Sequence, residues 1–209
     1  EKKYNYYQDT SLVYAINTRK TQELDSETKS ILQRAKQYYK LTNTIFDITI
    51  ATIKPLYIHE SNEIEFEKKK EELKKFIGCE HFSIKKNKIL FDNEYTKIDL
   101  GGFVKEYAVD QAVKIIKKHK LISALVNYGG DIYALGIKPD GSKFSVGIKD
   151  PQNPDIYAKE VFLENQALTT SASYERNYTI GKTTYSHIIS KEKHTQTPNS
   201  VSVISSNCV

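Results

Sequence analysis

The strongest chemical signal in the chain is the run Asp99-Leu100-Gly101-Gly102-Phe103-Val104-Lys105. An acid ends an apolar stretch, two glycines turn the chain, and a lysine falls in the first turn of what reads as a helix. Glycines let backbone N–H groups approach a ligand closely. A helix N-terminus adds free N–H donors and partial positive charge. Lys105 opposes the helix dipole there, a cost that is easier to understand where an anion binds. The arrangement suits a phosphate, although it is neither a Walker A loop nor a dinucleotide fingerprint. The same residues also serve a strand-to-helix turn that merely needs glycine.

Other constellations say less. In Asn127-Tyr128-Gly129-Gly130-Asp131, glycines can let a flat ligand or a phosphate lie against the backbone, or simply form a bulge or hairpin turn. Thr169-Thr170-Ser171-Ala172-Ser173-Tyr174-Glu175-Arg176 offers hydroxyls for phosphate or ribose oxygens, or a polar loop before a strand. His187, in the apolar run Tyr185-Ser186-His187-Ile188-Ile189, is the best general-base candidate because imidazole titrates near neutral pH. A histidine in such a run is also commonly structural. His59, His81, His119 and His194 fall in loops or on charged faces. Asp47, in Phe46-Asp47-Ile48-Thr49, reads as a cap or turn acid, and Tyr7 carries no meaning by pattern. No GxSxG or HExxH motif is present. Cys79 and Cys208 form no CxxC pattern, so a zinc or redox motif is not indicated, and their pairing stays open.

Composition bounds the rest. With 209 residues, 39% of them hydrophobic, and 15 Tyr and 8 Phe, the chain is globular and large enough for a real core. No apolar run reaches the ~18 residues of a membrane span. The net charge of +5 comes almost entirely from lysines interleaved with glutamates; only Arg19, Arg34 and Arg176 are arginines. Arginine does most bidentate base and phosphate reading, so the charge reads as a solvated surface and nucleic acid is not an expected partner. Met is absent, position 1 included, which reads as a start set by processing or by an engineered boundary.

Periodicity predicts helices over 26–41 (capped by Asp25 or Ser26), 63–77 (with Glu65/Lys69 and Glu71/Lys75 pairs and Gly78 past its end) and 103–119, the last burying Ala108, Val109, Ala112, Val113, Ile115 and Ile116. A β-branched stretch, 44–53, stops at Pro55. A hairpin is expected over 82–91 with its turn at 85–88, and strands at 96–100, 124–128, 143–149, 157–164, 174–180, 184–190 and 200–205. Mixed elements followed by a run of strands predict an α+β fold, a largely antiparallel sheet with packed helices.

Taken in order, these segments resemble the FAD:protein FMN transferase (ApbE) family, once labelled thiamine-biosynthesis lipoproteins. DLGGFVKEYAVD at 99–110 meets the family's DLGGIAKGYAVD, and LVNYGGD at 125–131 meets LVNxGGD. VGIKDP at 146–151 meets VGIRDP, TTSASYER at 169–176 meets ATSGDYER, and YSHIIS at 185–190 meets YSHIIDP. FDITIATI at 46–53 meets FDPTVGPL more loosely. The match covers nearly the whole chain as a single domain over 1–209.

The resemblance implies an ApbE-like, T-fold-related architecture and a Mg²⁺-dependent transferase. It moves FMN from FAD onto a Thr of a target protein and releases AMP. The alternatives are an FAD diphosphatase giving FMN and AMP, or a flavin-binding protein without turnover. By position, Tyr7 (with Ser11 and Asn17 in one motif) lies against the flavin, and Ile45, Phe46 and Asp47 are its next flavin-contacting stretch. Asp99, Lys105 and Ile189 bind FAD, the Gly102 carbonyl binds Mg²⁺, and His187 deprotonates the acceptor hydroxyl. The implied partner is a flavin-acceptor protein with a Ser/Asp-Gly-Ala/Ser-Thr motif. The implied location is periplasmic or inner-membrane-anchored, with membrane attachment only through an upstream lipid anchor. Departures are Glu106 for a family Gly, Ala172-Ser173 for Gly-Asp, and Ser190-Lys191-Glu192-Lys193-His194 for Asp-Pro-x-Thr-Gly. The family's N-terminal strand and its C-terminal ADAxxT block, expected to supply an Asp and a Thr to the metal, are not expected within 1–209.

Overall fold

Short polar side chains cap the helices of the first half of the chain. The computed structural model describes residues 2–153, 155–173, 176–191 and 198–209. Ser11 Oγ accepts the Tyr14 N–H at 3.0 Å and starts α1 (Leu12–Asn17). Asp25 does the same for α2 (Ser26–Leu41), whose buried face is Thr28, Ile31, Leu32 and Ala35. Asn62 caps α4 (Glu63–Lys74), and Pro55 sits in the first turn of α3 (Lys54–His59), where its missing N–H costs nothing.

The chain divides into two compact units, residues 1–102 with 177–194 and residues 103–176 with 195–209. The first unit holds α1 to α4 and the antiparallel hairpins β1 (Phe82–Lys85) with β2 (Lys88–Phe91) and β8 (Asn177–Ile180) with β9 (Thr183–Ser186). One of its cores is aromatic: Tyr57 meets Phe66 edge-on at 4.9 Å and Tyr185 edge-on at 5.5 Å, with Ile53, Ile77 and Ile180 around them. Such pairs add about 0.5–1.5 kcal/mol each beyond simple burial.

The second unit contains α5 (Val104–Lys118) and strands β3 (Ala124–Tyr128), β4 (Asp131–Leu135), β5 (Phe144–Lys149), β6 (Tyr157–Leu163), β7 (Gln166–Ala172) and β10 (Ser200–Ser205). Four of these form an antiparallel sheet in the order β10-β7-β4-β3; β5 and β6 form a hairpin. Every residue of β4 is buried. Period-2 geometry explains why: Ile132 and Ala134 pack with Val146, Val161 and Leu163 of the β5–β6 hairpin, whereas Tyr133 and Leu135 pack with Val109 and Val113 of α5. At the β3–β4 turn, Gly129 and Gly130 have φ of 62° and 93°, which suits a tight hairpin turn. The last acid of the 99–110 motif, Asp110, accepts the Cys208 N–H at 2.9 Å and the Val209 N–H at 3.3 Å.

Several expectations need correction. Residues 96–100 do not form a strand. Their hydrogen bonds go to a side chain and a 3₁₀ turn instead of a ladder. Asn17 donates to the Ile98 carbonyl and accepts the Ile98 N–H, both at 2.8 Å. The Lys97 N–H reaches Thr52 Oγ1, and the Asp99 N–H reaches the Ile48 carbonyl. The β-branched stretch forms a 3₁₀ turn over Ile48–Thr52. Helix α4 ends at Lys74, and Gly78 (φ 153°) heads a separate 3₁₀ turn at Cys79–His81. Lys69 pairs back to Glu60 at 2.6 Å. Ile115 is exposed on α5. The hydroxyl run 169–172 is strand β7, not a loop, and β9 stops at Ser186, where the Ser186 hydroxyl accepts the Ile188 N–H. Of the strand expected at 174–180, residues 177–180 are observed; Tyr174 and Glu175 lie outside the described residues, as does His194.

Candidate active site

In the first unit, the site is built around the Asp99 carboxylate. Asp99 Oδ1 accepts the Gly101 N–H at 2.9 Å, folding the side chain over the glycine turn. Asp99 Oδ2 is ion-paired with Lys54, and both side chains are about six-sevenths buried, with 15% and 14% exposed. A Cβ placed on Gly102 would meet no heavy atom within 4 Å, so its backbone is open to a ligand. Lys54 is fixed from its other sides by aromatic rings. Its Nζ lies 4.7 Å from the Tyr6 ring centroid and 4.6 Å from that of Tyr7, within cation–π range. Tyr6 and Tyr7 meet edge-on at 5.3 Å.

Electrostatics in this group follow from burial and the ion pair. Burial pulls the Lys54 ammonium down, but the Asp99 carboxylate outweighs it and holds the group above its ordinary value. Burial pushes the Tyr6 phenol up to about 12. It also raises Tyr178, helped by a hydrogen bond with the Tyr7 hydroxyl. Tyr7 is 59% exposed, so one aromatic face remains available for a planar ligand.

A second knot surrounds Asp47. Its Oδ1 accepts from the Thr49 N–H at 2.8 Å, the Thr49 hydroxyl at 2.6 Å and Cys79 Sγ at 3.6 Å; the Thr49 hydroxyl in turn accepts the Gly78 N–H at 2.7 Å. The cap reading of Asp47 is therefore correct. Its Oδ2 is buried with no hydrogen-bond partner among the described residues, and burial raises the carboxyl. Phe46 packs edge-on against Tyr38, while Ile45 is 88% exposed. His187 follows β9 and is half-buried; Ile189 packs against the Tyr57–Phe66–Tyr185 core.

In the second unit, α5 starts at Phe103 without a side-chain cap. Lys105 projects along the β3–β4 turn: its Cδ lies 4.0 Å from where a Cβ on Gly129 would sit, and its Nζ meets Asp131 Oδ2 at 2.8 Å. Asp131 is 3% exposed at the side chain and Lys105 45%. The glycines of the 127–131 motif thus make a turn that gives Lys105 room and a buried counter-ion. Asn127 steadies the turn by accepting the Gly130 N–H at 3.1 Å. Glu106 is raised by burial and by Asp131 and Asp110, against the pull of Lys105, and its Oε2 is buried without a hydrogen-bond partner among the described residues.

The structure therefore brings Tyr7 and Asp99 together through Lys54, and it places Phe46 and Asp47 in a separate knot. Lys54, Tyr6 and Tyr178 go beyond the residues read from sequence, whereas Asn17 and Asp131 were read there only as members of motifs, without a role of their own. Asp131 carried a signal, as the acid closing a glycine motif. Lys54 carried none, because its partner lies 45 positions away. Among the described residues, no group of three or more His, Cys, Asp or Glu side chains is placed to hold a metal. No helix of the described residues is long and apolar enough to cross a membrane.

Comparison with known proteins bears on what this arrangement belongs to. A curated FAD:protein FMN transferase of Treponema pallidum is 35% identical over 105 residues, 44% of this chain and 28% of the relative. One of Vibrio cholerae is 22% identical over 194 residues, 89% of this chain and 58% of the relative. This chain spans less than two thirds of both relatives. The crystal structure of the ApbE protein of Thermotoga maritima superposes with a TM-score of 0.87 at 27% identity, over 99% of this chain and 70% of that one. The α+β architecture of helices and antiparallel sheet is thus that of solved ApbE structures. The model of the ApbE family matches residues 1–209, and the chain belongs to that family.

Proposed function

We propose that this protein is an FAD:protein FMN transferase. It takes FAD, forms a phosphoester between FMN and a threonine of a target protein, and releases AMP. The observation that carries the reading is the glycine turn after Asp99. Asp99 shapes the Gly101 backbone and Gly102 is open. The FAD:protein FMN transferases among its relatives support the same reading.

In this reading the threonine hydroxyl oxygen attacks the FMN phosphorus, the P–O bond to the AMP phosphate breaks, and AMP leaves with the electron pair. His187 accepts the hydroxyl proton. Lys105, held by Asp131 until the diphosphate arrives, offsets the phosphate charge. Tyr7 lies against the flavin. Mg²⁺ belongs to the proposal through the resemblance, with Gly102 offering one carbonyl. Among the described residues, no group of three or more His, Cys, Asp or Glu side chains is placed to hold the ion. An acceptor protein carrying the Ser/Asp-Gly-Ala/Ser-Thr motif, and a periplasmic or membrane-anchored location, belong to the same proposal.

The test is to mix the protein, FAD, Mg²⁺ and a target carrying that motif, and to measure protein-bound FMN and free AMP. Bound FMN with stoichiometric AMP supports the transferase. AMP and free FMN without bound FMN make it a diphosphatase. FAD binding without AMP makes it a flavin-binding protein.

A further inference from the structure

We propose that Lys54 is a positioning residue for flavin recognition, joining Tyr7 and Asp99 into one rigid unit; this rests on the reading that Tyr7 and Asp99 face FAD. One ammonium makes three contacts. It pairs with Asp99 Oδ2 and lies 4.6 Å and 4.7 Å from the Tyr7 and Tyr6 ring centroids. Asp99 in turn holds Gly101 through its other oxygen. Lys54 therefore sits at the junction between an aromatic surface and the glycine turn.

Purely structural ion pairs of this kind are weak evidence for stability, because desolvation offsets much of the attraction. What this pair supplies is geometry. Asp99 is neutralised in place, so its carboxylate can stay buried near an anionic ligand without adding net repulsion. Tyr7 is 59% exposed. The ammonium on one side and the edge of Tyr6 fix its plane. A fixed ring accepts a planar, conjugated ligand without first losing its own rotamer freedom, and such pre-ordering raises affinity. Lys54 begins α3 directly after the 3₁₀ turn, so its backbone is set by the same segment whose Ile48 carbonyl accepts the Asp99 N–H.

The experiment titrates FAD into the full-length protein and into Lys54→Met and Lys54→Arg variants, reading both affinity and the emission of bound flavin at saturation. A tyrosine ring held against isoalloxazine quenches that emission. Lys54→Met is expected to weaken FAD by about tenfold or more, the scale of a lost hydrogen bond to a charged group, and to restore part of the emission at saturation. Lys54→Arg, which keeps charge and cation–π contact, is expected to restore both readings toward the parent. If Lys54→Met fails to fold, Lys54→Gln serves instead: it keeps a donor for Asp99 but no cation, so partial recovery of emission is still required. Parent-like affinity and emission in the uncharged variant overturn the proposal, as does a change that Lys54→Arg does not repair. Failure of the parent protein itself to bind FAD overturns the functional reading instead.

Discussion

Asn17 offers the sharpest test of how the candidate site is held. It is 8% exposed, and it satisfies both backbone groups of Ile98, itself fully buried, at 2.8 Å each. Asn17→Ala removes both partners at once and leaves a buried N–H and a buried C=O. Each such orphan costs about 1–3 kcal/mol. Water entering the space left by the amide repairs part of this, so the expected loss is about 2–4 kcal/mol. Against a total stability of about 5–15 kcal/mol, that is a large fraction. Asn17→Asp is a useful companion. It keeps an acceptor for the Ile98 N–H but turns a carboxylate oxygen toward the Ile98 carbonyl, so it should lose at least as much at neutral pH. The assay is urea unfolding followed by far-UV circular dichroism, since the chain has no tryptophan. A loss below about 0.5 kcal/mol for Asn17→Ala would show that Ile98 finds other partners and that the 96–100 segment is not tethered as described.

Three further outcomes are expected. Lys105→Ala should weaken FAD binding by about 1–3 kcal/mol, and an unchanged calorimetric titration would remove Lys105 from the phosphate. His187→Ala should bind FAD normally yet slow FMN transfer by about 10²–10⁴; transfer at the parent rate would place the base elsewhere. The Glu106 carboxyl is raised on folding, so its contribution to stability is full below the unfolded value near ~4.3 and is lost as pH rises through the folded value. Glu106→Gln should therefore raise the melting temperature at neutral pH, with the gain disappearing below about pH 4; a gain independent of pH would refute the electrostatic cause.

The sequence was most informative where local rules decide the outcome. Asp25 as a cap, the 82–91 hairpin, the strand at 124–128 with its glycine turn, and the strand at 200–205 all follow from capping, alternation and turn chemistry within a few residues. Failures arose where distant partners decide. The 96–100 segment alternates like a strand, but its hydrogen bonds are taken by Asn17, Thr52 and Ile48. The 169–172 hydroxyls look like a loop, yet β7 is paired on both sides, with β4 and with β10, and ladder partners override composition there. At the site, the glycine motifs were legible because glycine marks backbone geometry. Lys54 was not, because a lysine beside a proline looks like any surface lysine until its partner is known.

The tether at Ile98 has a consequence for how this loop can change over generations. A strand in a sheet is held by many backbone groups, and short of a proline a codon change removes none of them. Here the hold on the residue next to Asp99 is vested in one side chain. A single nucleotide substitution at position 17 loosens the approach to the glycine turn, which Lys97 and Asp99 still hold through their own N–H groups, while leaving every sheet ladder intact. Loop geometry and fold are thus heritable separately, and descendants of this chain could drift in how they seat a ligand long before they drift in architecture.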